Sequence, residues 1–186
     1  MKKRARAVFI DRDGVLIRDA DHLDSVAGLK VYKRSAQALK LLRGAGFKII
    51  VVTNQSGVAR GYFTLTTVRA IHAELRRRLA RQGARLDAIY VSPHGPDSGH
   101  PWRKPGTGML LAAGREFGLD LKRSYLIGDK TSDIECARRA GCASILVLTG
   151  KGGRDRAYAA KPSAVRRDIL AAANWIAGAE KSNLKS

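Results

Sequence analysis

Five short apolar stretches rich in β-branched residues recur along the chain, at residues 7–11, 48–54, 88–91, 124–129 and 144–149. Their nearly unbroken hydrophobicity predicts strands buried on both faces of a parallel sheet. Between and after them, apolar residues return at helical spacing. Ser35 is placed to cap a helix carrying Ala38, Leu39 and Leu42, which stops at Gly44 and Gly46. A second helix is expected from Thr66, burying Val68, Ile71, Leu75 and Leu79 and stopping near Gly83. A third covers residues 108–117 before Gly118. Ser132 and Glu135 have capping-box spacing for a fourth that ends at Gly141. A last amphipathic helix is expected over residues 163–177, with Val165, Ile169, Leu170, Trp175 and Ile176 on its apolar side.

This alternation predicts an α/β fold: a doubly wound, mainly parallel five-stranded sheet, forming one domain over residues 1–186. No internal repeat or linker interrupts it. Residues 17–31 and 92–107 lack a regular pattern and read as loops at the rim of the sheet. Ligands of such folds bind beyond the carboxyl ends of the strands. The polar residues 181–186 are expected to fray.

Composition changes this picture little. Hydrophobic residues make up 45% and charged residues 27%, an ordinary globular balance. The run Ile49, Ile50, Val51, Val52 is far too short to cross a bilayer. The basic start, residues 1–6, imitates the opening of an export signal, but only residues 7–10 follow before Asp11, Arg12 and Asp13. No export signal and a cytoplasmic location are therefore expected. Cys136 and Cys142 read as buried core residues, not a disulfide framework.

Charge raises a separate question. The formal net charge is +19, from 35 basic and 16 acidic residues, which brings nucleic acid into view as a partner. The basic residues are scattered, however. The densest group, Arg76, Arg77, Arg78, Arg81 and Arg85, spreads over the solvent faces of the second helix. No nucleic-acid module or aromatic-rich basic stripe accompanies it. A basic nucleic-acid binder, or a protein that trims terminal phosphates, is the alternative from another functional class. A monomer is expected.

The candidate chemistry sits at the strand ends. The first strand runs into Asp11-Arg12-Asp13-Gly14, where two carboxylates crowd one sheet edge. A divalent cation with hard oxygen ligands balances such a pair, and a carboxylate can attack phosphorus. The second strand ends in Thr53-Asn54-Gln55-Ser56-Gly57, rich in donors for a phosphoryl oxygen, with Arg60 following. Arg103-Lys104-Pro105 follows the third strand and supplies cations. Asp129, Lys130 and Asp133 follow the fourth. Asp133 has a second explanation, as a first-turn acid favoured by the helix dipole.

Taken together, these segments resemble the haloacid dehalogenase superfamily of phosphatases. The stretches at residues 9–15, 52–61, 103–105, 108–110 and 128–130 are similar to one branch, the D-glycero-D-manno-heptose-1,7-bisphosphate 7-phosphatases, whose close relatives are the histidinol-phosphate phosphatases. The resemblance implies a Rossmann-like fold without a large cap domain. It also implies Asp11 as nucleophile, Asp13 as general acid and base, and Thr53 and Lys104 as further catalytic groups. Mg²⁺ would be held by Asp11, the Asp13 carbonyl and Asp129, with Asp133 supporting. Asn54, Arg60, Arg103 and Lys130 would grip a small phosphorylated sugar. Heptose bisphosphate is the leading substrate, because the surplus of cations suits two phosphates; histidinol phosphate is the alternative.

The chain departs from that branch at one place. The branch holds a structural zinc with Cys-x-His and Cys-x-Cys pairs around the rim loop at 92–107. Here those positions are Ser92, His94, His100 and Trp102, so no thiolate remains and no structural zinc is expected. Pro93, Pro96 and Pro101 stiffen the loop instead. His22, among the acids of the first rim loop, is a candidate for shaping the substrate pocket. His72, on the second helix, is expected to be structural or exposed.

Overall fold

Side chains on the first strand alternate between two cores. Val8 and Ile10 face one, Ala7 and Phe9 the other, and all four are fully buried. This strand, β1 (Arg6–Ile10), sits inside a sheet of six parallel strands in the computed structural model, which describes residues 4–183. The others are β2 (Phe47–Asn54), β3 (Ala88–Ser92), β4 (Tyr125–Gly128), β5 (Ala143–Val147) and β6 (Ala164–Arg166), in the order β3-β2-β1-β4-β5-β6. The order reverses beside β1, whose Ile10 is in register with Val51 on one side and Ile127 on the other. That switch point is where such sheets bind ligands.

Helices cover both faces. On the Val8 and Ile10 side lie α1 (Ser35–Gly44), α2 (Leu65–Ala80) and α5 (Ile169–Asn183). Leu39, Leu42, Ile71, Leu75, Leu79 and Ile176 form their buried stripe. On the other side, α3 (Gly108–Phe117) and α4 (Thr131–Ala140) bring Met109, Leu110, Cys136 and Ala137 against Ala7 and Phe9. Burying one such large aliphatic or aromatic side chain contributes about 1.5–3 kcal/mol. Both cysteines are buried and unpaired. No helix among the described residues is long and apolar enough to cross a membrane.

The sequence pattern misplaced several boundaries. Residues 163–168 are not helical. Ser163 N donates to Ser144 O at 2.9 Å and Leu148 N to Arg166 O at 2.9 Å, which adds β6 as a sixth strand on the edge. Val165 is therefore 46% exposed, and α5 starts only after Asp168, whose carboxylate accepts from Ala171 N at 2.8 Å. Ser35 does not cap α1; its hydroxyl donates to Leu16 O at 2.8 Å and pins the first rim loop. The cap of α2 is Thr64, which accepts from Thr67 N at 3.1 Å. At α4 the start is fixed by Asp133, which accepts from Lys130 N at 3.1 Å, while Glu135 pairs with Arg138 and Arg139. Of the tail expected to fray, 181–183 continue α5, and 184–186 lie outside the described residues, as do 1–3 of the basic start.

Candidate active site

Asp11 follows β1 and donates its backbone N–H to Ile127 O at 2.9 Å, extending the ladder by one bond. Its carboxylate is buried, at 4% exposure. Oδ1 accepts from Arg12 N at 2.8 Å and faces Lys104 Nζ at 2.9 Å. The same ammonium reaches Asp133 Oδ1 at 2.6 Å and donates to Val52 O at 2.9 Å. All three of its protons are thereby directed. Asn54, at the end of β2, holds the lysine by its backbone: Lys104 N donates to Asn54 Oδ1 at 3.0 Å and Asn54 Nδ2 to Lys104 O at 3.1 Å. Burial disfavours the Lys104 charge, but Asp11 and Asp133 raise its pKa above the ordinary lysine value.

Asp129 ends β4 and is fully buried. Its Oδ2 accepts from Lys151 N at 2.7 Å, whereas Oδ1 has no partner. Ligand atoms of Asp11, Asp129 and Asp133 lie within 4.8 Å of one another. Burial, then repulsion from Asp11 and Asp133, pushes the Asp129 carboxyl up to about 8. Burial likewise raises Asp11 to about 6, against the pull of Lys104. Gly14 and Gly150 close over Asp129 from two loops. A Cβ on either would stand 2.3 or 2.2 Å from Asp129 Oδ2, and both have positive φ. A buried oxygen without a partner, amid carboxylates short of positive charge, fits a hard cation such as Mg²⁺.

Asp13 and Thr53 stand beside this cluster. Arg12 forks onto Asp13, with Nη2 2.9 Å from both oxygens and Nε 3.2 Å from Oδ1. Gln55 Nε2 donates to Asp13 Oδ2 at 2.8 Å and to the buried Thr53 Oγ1 at 2.9 Å. A cleft of about 480 Å³ opens over the cluster, lined in part by Asp11, Asp13, Asn54, Arg103, Lys104 and Lys130. The site residues expected from sequence therefore converge, with one exception. Arg60 is exposed and does not line the cleft, although it is near enough to Arg103 to contribute, after burial, to lowering that residue's pKa.

Comparison with known proteins agrees with this geometry. A HAD-hydrolase-like family model matches residues 101–172. The D-glycero-D-manno-heptose-1,7-bisphosphate 7-phosphatase of Thermosynechococcus vestitus is 42% identical over 185 residues, covering 91% of this chain and 94% of that protein. The corresponding β-anomer enzyme of Pseudomonas aeruginosa is also 42% identical, over 79% of this chain and 83% of its own. The crystal structure of D,D-heptose 1,7-bisphosphate phosphatase from B. bronchiseptica, complexed with magnesium and phosphate, superposes with a TM-score of 0.87 at 36% identity, over 94% of this chain and 99% of that one. The chain belongs to the haloacid dehalogenase-like phosphatases. It is a phosphoric monoester hydrolase.

Within this phosphatase the rim loop has its own fastenings. His94 and His100 stack with ring centroids 3.5 Å apart and planes 17° from parallel. His100 Nδ1 accepts from Trp102 N at 3.2 Å, and Arg103 Nη1 donates to His94 O at 2.8 Å. Ser92 is buried beneath. These contacts hold Arg103 and Lys104 at the cleft.

Several residues of the phosphatase site escaped the sequence reading. Arg12 carries no assigned role in the sequence pattern and Gln55 reads there only as one of a run of donors, yet both grip Asp13. His72 is buried, and its Nε2 lies 3.1 Å from Arg12 Nη1. Arginine only donates, so Nε2 is the acceptor and the proton sits on Nδ1. Burial and Arg12 lower the His72 pKa to about 3, consistent with a neutral ring. Residues 149–158 also form a wall. Asp155 accepts from Thr131 N at 2.9 Å, and Tyr158 N donates to Thr131 Oγ1 at 3.1 Å, which brings Tyr158 to the cleft. The glycines at 150, 152 and 153 were the available signal. His22 stacks edge-on against Tyr62 at 4.8 Å and lines a side lobe of about 80 Å³ with Asp13 and Lys130.

Proposed function

We propose that this phosphatase removes the 7-phosphate of D-glycero-D-manno-heptose 1,7-bisphosphate by way of an aspartyl-phosphate on Asp11. The observation that carries the reading is the pairing of Asp11 with Lys104 beside the partnerless oxygen of Asp129. The names of the relatives supply the substrate.

In the first step an Asp11 oxygen forms a bond to phosphorus as the bond to the sugar O7 breaks. Asp13 gives its proton to that leaving oxygen. In the second, Asp13 takes a proton from water as the water oxygen attacks phosphorus and the Asp11–phosphorus bond breaks. Asp13 has to leave the Arg12 fork to reach the leaving oxygen. Lys104 orients the nucleophile and offsets charge on the transferring group, and Thr53 donates to a phosphoryl oxygen. Mg²⁺ would be held by the Asp11 carboxylate, the Asp13 carbonyl and Asp129, and when bound it neutralises charge on nucleophile and phosphate. Asp133 acts through Lys104. Asn54, its amide committed to the Lys104 backbone, also acts through that lysine. Arg103 and Lys130 take the remote phosphate, with Arg60 adding positive field at the mouth. The loop at 92–107 does this without zinc; elemental analysis finding one zinc per chain overturns that clause.

Comparing kcat/KM on heptose 1,7-bisphosphate and on histidinol phosphate, both with Mg²⁺, tests the assignment. Faster turnover of histidinol phosphate rejects it.

A further inference from the structure

The catalytic cleft absorbs few of the surplus cations in a chain of formal charge +19. A second cavity, of about 870 Å³, shares no lining residue with that cleft. It lies between the loop before α1, the end of α2 and the start of α5. Six of its lining side chains are cations and one is a carboxylate. Two of the cations are engaged: Arg34 with Asp168 at 3.3 Å and Arg78 with Glu74 at 2.6 Å. The other four, Arg18, Lys30, Lys33 and Arg81, have no ion pair among the described residues.

Two further features bear on what such a cavity takes. Lys33 and Arg34 directly precede α1, whose first turn holds no acid and whose N-cap makes no side-chain bond, so the helix dipole adds to the positive field. Val15, Leu29 and Ile169 are sealed beneath it, and the accessible apolar wall is made by the half-buried Val31 and Tyr32. The volume lies within the roughly 300–1,000 Å³ typical of small-molecule sites. A bare inorganic anion would leave the wall of Val31 and Tyr32 unused. A nucleic-acid backbone needs a long track of cations rather than one concavity.

We propose that this cavity binds a nucleotide: two or more phosphates at Arg18, Lys30, Lys33 and Arg81, and a flat base against Tyr32 and Val31. Like charges gathered in one concavity favour a multiply charged anion, and an aromatic ring beside aliphatic groups favours a planar apolar body. The proposal is independent of the sugar assigned to the catalytic cleft.

Calorimetric titration tests it. The full-length Asp11→Asn protein, which cannot turn over ligand, is titrated with ATP, tripolyphosphate and adenosine at 0.15 M salt without divalent metal, and the cavity variants below assign the bound ATP to this site rather than to the catalytic cleft. One ATP per chain is expected, bound at least about tenfold more tightly than either fragment. Lys33→Glu with Arg81→Glu should weaken ATP at least about tenfold. In the otherwise unaltered enzyme, the same pair should leave p-nitrophenyl phosphate turnover intact. Arg18→Gln, a milder change in a loop, should weaken ATP independently if the double variant fails to fold. No ATP binding, or binding unchanged in these variants, overturns the proposal. Equal affinity for tripolyphosphate also overturns it, because the nucleoside then contributes nothing. Steeply salt-dependent binding of a DNA duplex that ATP cannot displace replaces it with a nucleic-acid surface.

Discussion

Arg12 holds Asp13 by both carboxylate oxygens, at 2.9 Å each, and is itself held by His72 at 3.1 Å. Arg12 is 1% exposed, so its fourth contact cannot be replaced by water without rearrangement. His72→Leu removes the acceptor and leaves Nη1 unsatisfied, which should cost about 1–3 kcal/mol of stability by chemical denaturation. It should also lower kcat several-fold with KM unchanged, because Asp13 loses its support and the substrate contacts do not. His72→Gln, which restores an acceptor, should recover most of both. Equal kcat in the Leu and Gln variants would show that the chain from His72 to Asp13 does not position the acid.

Lys104→Met leaves Asp11 and Asp133 buried without their shared cation. Breaking a buried pair this way costs about 3–5 kcal/mol. Turnover should fall by about a hundred- to a thousandfold, of the order seen when a preorganised donor is removed. Steady-state kinetics and urea unfolding read the two effects separately.

Asp11→Asn should abolish turnover and leave the fold intact. Rapid-quench labelling should place phosphate on Asp11 of the parent and none on the variant. Retained activity sinks the covalent mechanism.

pH dependence follows from the carboxylate cluster. In metal-free protein Asp129 sits at about 8 and Asp11 at about 6, whereas both ionise near about 3.9 in the unfolded chain. Between these limits the folded state keeps protons that the unfolded state releases. Their contribution to stability is whole below about pH 4, falls as pH rises through 6 and 8, and is lost above. Melting temperatures in EDTA should therefore decline over that window, and Asp129→Asn should flatten the decline. Mg²⁺ should raise the melting temperature more at pH 8.5 than at pH 5.5, because it needs the ionised ligands. A slope unchanged in Asp129→Asn would assign it elsewhere.

Gly150→Ala would drive a methyl group to 2.2 Å from Asp129 Oδ2. The carboxylate must move, and Mg²⁺ affinity should drop roughly 10–100-fold, as when a ligand's supporting shell is disturbed. Titrating activity against Mg²⁺ measures it.

The strand ends were legible in the sequence because buried parallel strands announce themselves by unbroken hydrophobicity, and Asp11, Thr53 and Asp129 fall at their ends. Lys104 was found as a motif, but its dependence on Asn54 was not, since the two are 50 residues apart and meet only through the fold. β6 was hidden for a different reason. Its three residues are too few to show a period, and Val165 blended into the apolar stripe of α5. Arg12 and His72 were missed because a buried cation and a neutral imidazole carry no pattern; only their burial marks them.

The rim loop is fastened by two stacked imidazoles, a guanidinium on a carbonyl and a doubly bonded asparagine. The one sulfur that joins them among the described residues does so from inside the core, where Cys136 Sγ donates to Gly106 O at 3.3 Å. Cys136 and Cys142, the two cysteines of the whole chain, are sealed in the core at 0% and 8% exposure. Peroxide and alkylating reagents therefore find no exposed thiol at the entrance to the catalytic cleft, and the thiol that touches the loop presenting Lys104 lies behind it, out of their path.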